Sequence, residues 1–200
     1  MNKPYSQACE NNKQPILEKL IEAFSDTQQV LEIGSGTGQH ASFFGGHLPH
    51  LHWQTSDLSV NHEGINQWIN DSGCTNVSAP IELDLNESWS LSEKGLIVDG
   101  LYTANTLHIV SWNLVVKFFA GISENLNTNA KVCIYGPFNY DGKFTSESNA
   151  SFDLWLKDRD PNSGIRDMEA ILSLAEEAGL SLLDDHAMPA NNRLLVFIKG

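Results

Sequence analysis

The sequence predicts an α/β fold, a mostly parallel sheet whose strands alternate with helices on both faces. Three observations predict it. Short apolar runs bounded by turn residues, such as 30–33 and 51–56, alternate with segments of helical period such as 112–126. The first of those runs leads straight into Gly34, Gly36 and Gly38. The 200 residues are enough for one domain with a substantial core, so neither a disulfide nor a structural metal is called for.

Taken in order, Ile16, Leu17, Leu20, Ile21 and Phe24 recur at helical spacing after Pro15, which predicts an amphipathic helix over 14–25. Residues 30–33 read as a short buried strand and 39–46 as a helix ended by the Gly45-Gly46 pair. A strand over 51–56, a helix over 61–70, and strands over 77–83 and 95–103 follow. Leu114, Val115, Phe118, Phe119 and Ile122 share one side of the helix at 112–126, and a fifth strand over 130–135 stops at Gly136-Pro137. Residues 137–164 break the alternation, with aromatics and polar residues following no sustained period. So long an interruption in a compact domain is as a rule either functional or disordered. Its aromatics, Phe138, Tyr140, Phe144, Phe152 and Trp155, predict an ordered cap, read here as a substrate lid. Met168, Ile171, Leu172, Ala175 and Ala178 predict a last helix closed by Gly179, and strands over 180–183 and 194–198 predict an antiparallel hairpin at one edge. The whole chain, 1–200, is expected to be one domain.

Composition excludes several function classes. A net charge of -13, with twelve Lys and Arg scattered along the chain, predicts no affinity for DNA or RNA, because such binding depends on cations that release counterions from phosphates. No apolar run is long enough to span a bilayer and the N-terminus lacks a signal-peptide core, so no membrane association and a cytoplasmic location are expected. Cys9, Cys74 and Cys133 are odd in number and widely spaced, and are expected to be reduced, with Cys133 in the core. His47, His50 and His52 cluster without matching Cys or carboxylate ligands, so they read as a solvated turn and no metal is assigned.

The candidate ligand residues begin at the glycine loop. A strand that ends in Gly-x-Gly-x-Gly and opens a helix lets backbone approach a ligand, because glycine has no Cβ and takes positive φ. Glu32 stands two positions before the first glycine. A carboxylate there pairs poorly with a pyrophosphate and suits a ligand whose amino acid end is cationic. Asp57, 19 residues past Gly38, ends the second strand, where a carboxylate accepts bonds from both ribose hydroxyls. Asp84 follows the third strand. In an open parallel sheet ligands bind beyond the carboxyl ends of the strands, so these residues should share one crevice. Both aspartates also fit as caps or turn residues.

The run Val30-Leu31-Glu32-Ile33-Gly34-Ser35-Gly36-Thr37-Gly38 resembles motif I of class I S-adenosylmethionine-dependent methyltransferases. The segments Gly38-Gln39-His40, Ala104-Asn105-Thr106-Leu107-His108-Ile109, Tyr135-Gly136-Pro137-Phe138, Phe152-Asp153, Gly164-Ile165-Arg166-Asp167 and Met188-Pro189-Ala190-Asn191-Asn192 are similar to the methyltransferase-like 26 family, once labelled domain of unknown function 938. The resemblance spans nearly the whole chain. It implies a Rossmann-like, seven-stranded sheet in the order 3-2-1-4-5-7-6 with the last strand antiparallel, and S-adenosylmethionine as cofactor. It places Glu32, Gly34, Ser35, Gly36 and Gly38 around the methionine part, Asp57 at the ribose and Asp84 at the adenine amino group, with Leu85 and Asn105 beside them. The family pattern Glu-Arg-Asn stands here as Glu10-Asn11-Asn12, so no role falls to that arginine.

Asn105 and His108 follow the fourth strand, from which such enzymes approach the transferred methyl, and His108 is the candidate general base. A buried, hydrogen-bonded histidine is the alternative, and alignment of a reactive sulfonium methyl supplies much of the rate without a base. Phe138, Asn139, Asn149, Phe152, Arg166 and Asn192 are the candidate substrate-binding residues, or else the packing of the cap. The expected function is methyl transfer to a small-molecule acceptor. Its competitors are a non-catalytic cofactor-binding protein that works through a protein partner and an NAD-dependent oxidoreductase, against which Glu32 and the glycine spacing count. The acceptor and the oligomeric state stay open.

Overall fold

The computed structural model describes residues 3–200. Its main sheet has seven strands in the order β3-β2-β1-β4-β5-β9-β8. These are β1 (Gln29–Ile33), β2 (His52–Asp57), β3 (Val77–Glu82), β4 (Gly100–Ala104), β5 (Lys131–Gly136), β8 (Leu180–Met188) and β9 (Asn192–Lys199). With the two-residue strands β6 (Phe138–Asn139) and β7 (Arg166–Asp167) set aside as a separate pair, this is the expected order 3-2-1-4-5-7-6. The α/β class and the antiparallel terminal hairpin are thus as the sequence predicts. The chain divides into two compact units, the first ending at Thr103 and the second beginning at Ala104.

In the first unit β1 pairs in parallel with β2 and β4, and β2 with β3. Helix α1 (Gln7–Ala23) starts seven residues earlier than the expected 14–25. Ser6 caps it by accepting the Cys9 N–H, and Pro15 lies inside it, not at its start. A proline interior to a helix forfeits one backbone bond. Burial of Ile16, Leu17, Leu20 and Phe24 and the contacts of the first two turns hold the helix together across it. Helix α2 (Gln39–His47) runs through Gly45 and Gly46 and is not ended by them; Gly45 serves packing, since a Cβ there would lie 2.2 Å from Val77 Cγ2. Helix α3 (His62–Ser72) ends on Gly73 at φ +67°, the left-handed position glycine takes most easily. Trp53, Phe44, Tyr102 and Phe24 form the aromatic centre of this unit, with Trp53 5.6 Å from both Phe44 and Tyr102.

In the second unit β9 lies antiparallel to both β5 and β8. Helix α4 (Trp112–Asn125) buries Val115, Phe118, Phe119 and Ile122, and α6 (Met168–Glu177) buries Met168, Ile171 and Ala175, while Leu114 and Leu172 are half-buried; Cys133 is fully buried. The interval 137–164 is not an irregular loop, because it contains a 13-residue helix, α5 (Glu147–Arg159), capped by Ser146. The helix escapes a periodicity reading because Leu154 and Trp155 point to solvent while the polar Asn149 and Asp153 are buried. The β8 strand carries a register irregularity between Leu182 and Asp184. No helix among the described residues is long and apolar enough to cross a membrane.

Candidate functional site

In the first unit β1 delivers Glu32 and the glycine loop. Gly34, Gly36 and Gly38 all have positive φ, at 74°, 56° and 87°. They serve different ends. A Cβ on Gly38 would stand 2.8 Å from the Ile65 Cα of α3, so this glycine permits helix packing. A Cβ on Gly36 would meet nothing within 4 Å, so this glycine faces open space. That space is a cleft of about 440 Å³ bordered by Gly36, Thr37, Asn61, Glu63, Gln67 and Pro4.

Glu32 is 2% exposed, and Ser35 Oγ and Trp53 Nε1 both donate to its Oε2, at 2.9 and 3.1 Å. Burial pushes its carboxyl up to about 7 against these two bonds, and the Asp57 carboxylate adds to the rise. Ser35 is itself anchored, its Oγ accepting the Ser56 N–H and its N–H donating to the Ser56 carbonyl.

Asp57, the last residue of β2, accepts the Gly36 N–H on Oδ2 at 2.7 Å and the Leu58 N–H and Asn61 Nδ2 on Oδ1, both at 2.7 Å. It therefore shapes the loop besides lying beside it. Asn61 was passed over in the sequence, where the signal is a carboxylate and a carboxamide four residues apart across a tight turn. Asp84 accepts Asn86 N and Nδ2 on one oxygen, at 2.8 and 3.1 Å, which is the turn geometry open to it from the start, and Leu85 is buried. The histidines of the 47–52 segment do not converge, since His47 meets the Phe43 carbonyl, His50 the Phe24 carbonyl and His52 the Ser78 hydroxyl.

In the second unit Asn105 holds φ at +56°, and its N–H donates to the Tyr135 carbonyl at 2.9 Å. His108 is 4% exposed, its ring edge-on to Phe152 at 5.5 Å. A Cβ on Gly136 would come 3.4 Å from its Nδ1. Burial, and secondarily the Arg166 charge, push this imidazole down to about 4. It is neutral at pH 7, able to accept a proton but weak as a base. Arg166 holds the 107–110 segment, donating to the carbonyls of Leu107, Val110 and Asn162. Asn149 donates to Thr145 Oγ1 and to the Asn191 carbonyl, and Asn192 to the carbonyls of Pro189 and Ala190. Phe138 is buried at the β6–β7 pair. Asn139, 8% exposed, has a buried Oδ1 without a hydrogen-bond partner.

A family described as protein of unknown function, DUF938, matches residues 3–199. The chain belongs to the DUF938 family. Among solved structures, this DUF938 chain is similar to an O-methyltransferase family protein from Burkholderia thailandensis at 17% identity, with a TM-score of 0.81 over 94% of this chain and 56% of the other. A putative O-methyltransferase from Nostoc punctiforme matches at 19% identity and a TM-score of 0.81, over 96% of this chain and 56% of the other. An O-methyltransferase from neocarzinostatin biosynthesis, solved with S-adenosyl-L-homocysteine and 1,4-dihydroxy-2-naphthoic acid, matches at 15% identity and a TM-score of 0.79, over 96% and 55%. The DUF938 chain thus spans a little over half the length of these structures, and at such identities the likeness establishes the fold.

Within the DUF938 chain, Glu32, Ser35, the three glycines and Asp57 are drawn together by direct hydrogen bonds or loop geometry in the first unit. In the second, His108 and Phe152 are in ring contact, while Arg166, Asn149 and Asn192 spend their donors on backbone carbonyls or neighbouring hydroxyls.

Proposed function

We propose that this protein is an S-adenosylmethionine-dependent methyltransferase acting on a small-molecule acceptor, a member of the methyltransferase-like 26 group within its family. The observation that carries the proposal is the pairing of a buried carboxylate, Glu32, with a glycine, Gly36, whose missing Cβ opens onto the adjoining cleft. A dinucleotide pyrophosphate gains nothing from Glu32, whereas the ammonium of the cofactor's methionine part does. Asp57 would take a ribose hydroxyl, its carboxylate having one acceptor site, on Oδ2, beyond the three bonds it already makes, and a second hydroxyl would have to displace one of those. Asp84 and Leu85 would hold the adenine, and Asn105 is proposed from the resemblance as a further cofactor-binding residue. The neighbour solved with S-adenosyl-L-homocysteine and a naphthoic acid supports both the cofactor and a small acceptor by analogy of fold.

When bound, the cofactor supplies a methyl group on a positive sulfur, and transfer breaks the carbon–sulfur bond as the acceptor heteroatom forms the new one. The protein's part is alignment and proton handling. His108, neutral and a weak base, would take the proton only once methylation has made the acceptor's hydroxyl or amine strongly acidic, and Phe138, Asn139 and Phe152 would shape the acceptor's surroundings within the 137–164 segment. Calorimetry with S-adenosylhomocysteine and NAD tests the cofactor, and an untargeted comparison of cell extract and labelled cofactor, with and without the protein, tests turnover. Binding of NAD and indifference to S-adenosylhomocysteine overturns the proposal. Tight cofactor binding without any methylated product favours the non-catalytic alternative.

A further inference from the structure

We infer that residues Pro4 to Cys9 are a wall of the cofactor cleft and that Gln39 is the positioning residue that latches this wall to the glycine loop. The inference rests on the cleft beside Gly36 being the cofactor's.

The segment is tied down along its length. Trp68 Nε1 donates to the Pro4 carbonyl at 2.7 Å, and Pro4 packs so closely on Gly64 of α3 that a Cβ there would lie 2.5 Å from Pro4 Cγ. Lys3 pairs with Asp71 at 2.7 Å and sits 3.6 Å above the Trp68 ring. Pro4 thereby borders the same cleft as Gly36 and Thr37.

The latch is one side chain. Gln39, the first residue of α2 and 3% exposed, accepts the Ser6 N–H on Oε1 and donates from Nε2 to the Ser6 carbonyl at 3.3 Å. Its carboxamide thus pairs with both polar groups of one residue, as a strand neighbour would. The Thr37 hydroxyl donates to the same Oε1 at 3.1 Å, so the ligand loop and the N-terminal wall share one acceptor atom. Ser6 in turn caps α1 through Cys9 N, which sets Cys9 on the first turn facing the loop. Burial, with the Glu32 carboxylate contributing, pushes the Cys9 thiol up. A ligand at Glu32 and Gly36 is therefore covered on this side by protein, and its escape requires the latch to give.

The test uses the full chain carrying Cys74→Ser, with Cys9 alkylation by iodoacetamide read by mass spectrometry and S-adenosylhomocysteine dissociation read by stopped flow. S-adenosylhomocysteine should slow Cys9 alkylation at least tenfold. Gln39→Leu should speed alkylation of the ligand-free protein and raise the dissociation rate about tenfold, with little change in association rate. A purely structural lesion would instead lower the fraction of binding-competent protein. Trp68→Phe, which deletes the bond to Pro4 and shrinks the ring beneath Lys3, should raise dissociation several-fold and keeps the test available if Gln39→Leu does not fold. The inference is overturned if ligand binds but leaves Cys9 alkylation unchanged, or if both variants release ligand at the wild-type rate. If S-adenosylhomocysteine does not bind the wild-type protein, the cofactor assignment itself falls, and the wall with it. The ligand-free alkylation rates then still report on the latch alone.

Discussion

Asp57 Oδ2 accepts the Gly36 N–H at 2.7 Å, so the end of β2 and the middle of the glycine loop are held as one piece. Asp57→Ala removes the loop's tether and, on the function proposed above, the ribose acceptor as well. Cofactor affinity should fall by about 1 to 3 kcal/mol, the range for losing charge-assisted hydrogen bonds. Calorimetry on a variant that retains its circular dichroism checks this, and unchanged affinity would mean that Asp57 only builds the turn.

The loop glycines should separate cleanly. A Cβ at Gly36 meets no protein atom within 4 Å, but Gly36→Val sets a branched side chain on a strained positive φ beside the cleft, so ligand binding should vanish from a protein that still folds, at some cost in stability. Gly38→Ala meets Ile65 backbone at 2.8 Å, and should instead lose about 1 to 3 kcal/mol of stability. Melting and binding curves of the two variants distinguish a ligand glycine from a packing glycine.

Glu32, with its carboxyl pushed up to about 7, links cofactor binding to pH. Only the ionised form attracts an ammonium, so S-adenosylhomocysteine affinity should rise between about pH 6 and 8 and flatten above. Glu32→Gln should bind weakly at every pH with little slope. A wild-type affinity that is flat across this window would remove the carboxylate from the site.

His40 and His108 make stability depend on acid. Both imidazoles are pushed down to about 4, chiefly by burial. Between that value and an ordinary 6.5 the unfolded chain binds protons that the folded chain refuses, so stability falls as pH drops from about 6.5 towards 4. Glu32 works in the opposite sense, because the folded chain keeps a proton the unfolded chain has released. Its contribution is present below about 4.5 and is lost as pH rises through 7. Urea titrations should show the wild type less stable at pH 5 than at pH 7 by about 1 to 3 kcal/mol, and Glu32→Gln losing more over the same interval.

Arg166 should behave as a scaffold residue. Its guanidinium serves the carbonyls of Leu107, Val110 and Asn162, so Arg166→Ala should lower stability by about 1.5 to 3 kcal/mol. Thermal melts measure that. An Arg166→Ala protein as stable as wild type, with only acceptor turnover reduced, would return the residue to the substrate-binding set.

Much of this architecture is legible from the chain. Strand order follows from the resemblance, and Glu32, Gly36 and Asp57 stand out because each is the residue type its place at a strand end requires. What escaped has physical causes. The first two turns of α1 are polar and lie before a proline, so neither period nor propensity marks them. Their support comes from Gln39 and from His40, whose ring meets Asn12 at 2.7 Å, both far along the sequence. Helix α5 buries Asn149 and Asp153, and the binding partners that justify this, Asn191 and Ile165, lie outside any local window. For Arg166 and Asn192, the sequence marks donors that suit a ligand and does not show that the carbonyls of Leu107, Val110, Asn162, Pro189 and Ala190 accept from them.

The irregular register of β8 bears on how copies of this protein behave in concentrated solution. A terminal strand of nine residues leaves one row of backbone donors and acceptors free, a template on which another chain can lengthen the sheet. Leu182 and Leu183, 38% and 50% exposed, make that edge adhesive. The shift between Leu182 and Asp184 interrupts the straight run a second strand would need, and Asp184 and Asp185 add charge at the break. The break and its carboxylates are therefore what keeps one copy from extending the sheet of another, and Asp184→Leu should lower the concentration at which the purified protein begins to precipitate, read by light scattering.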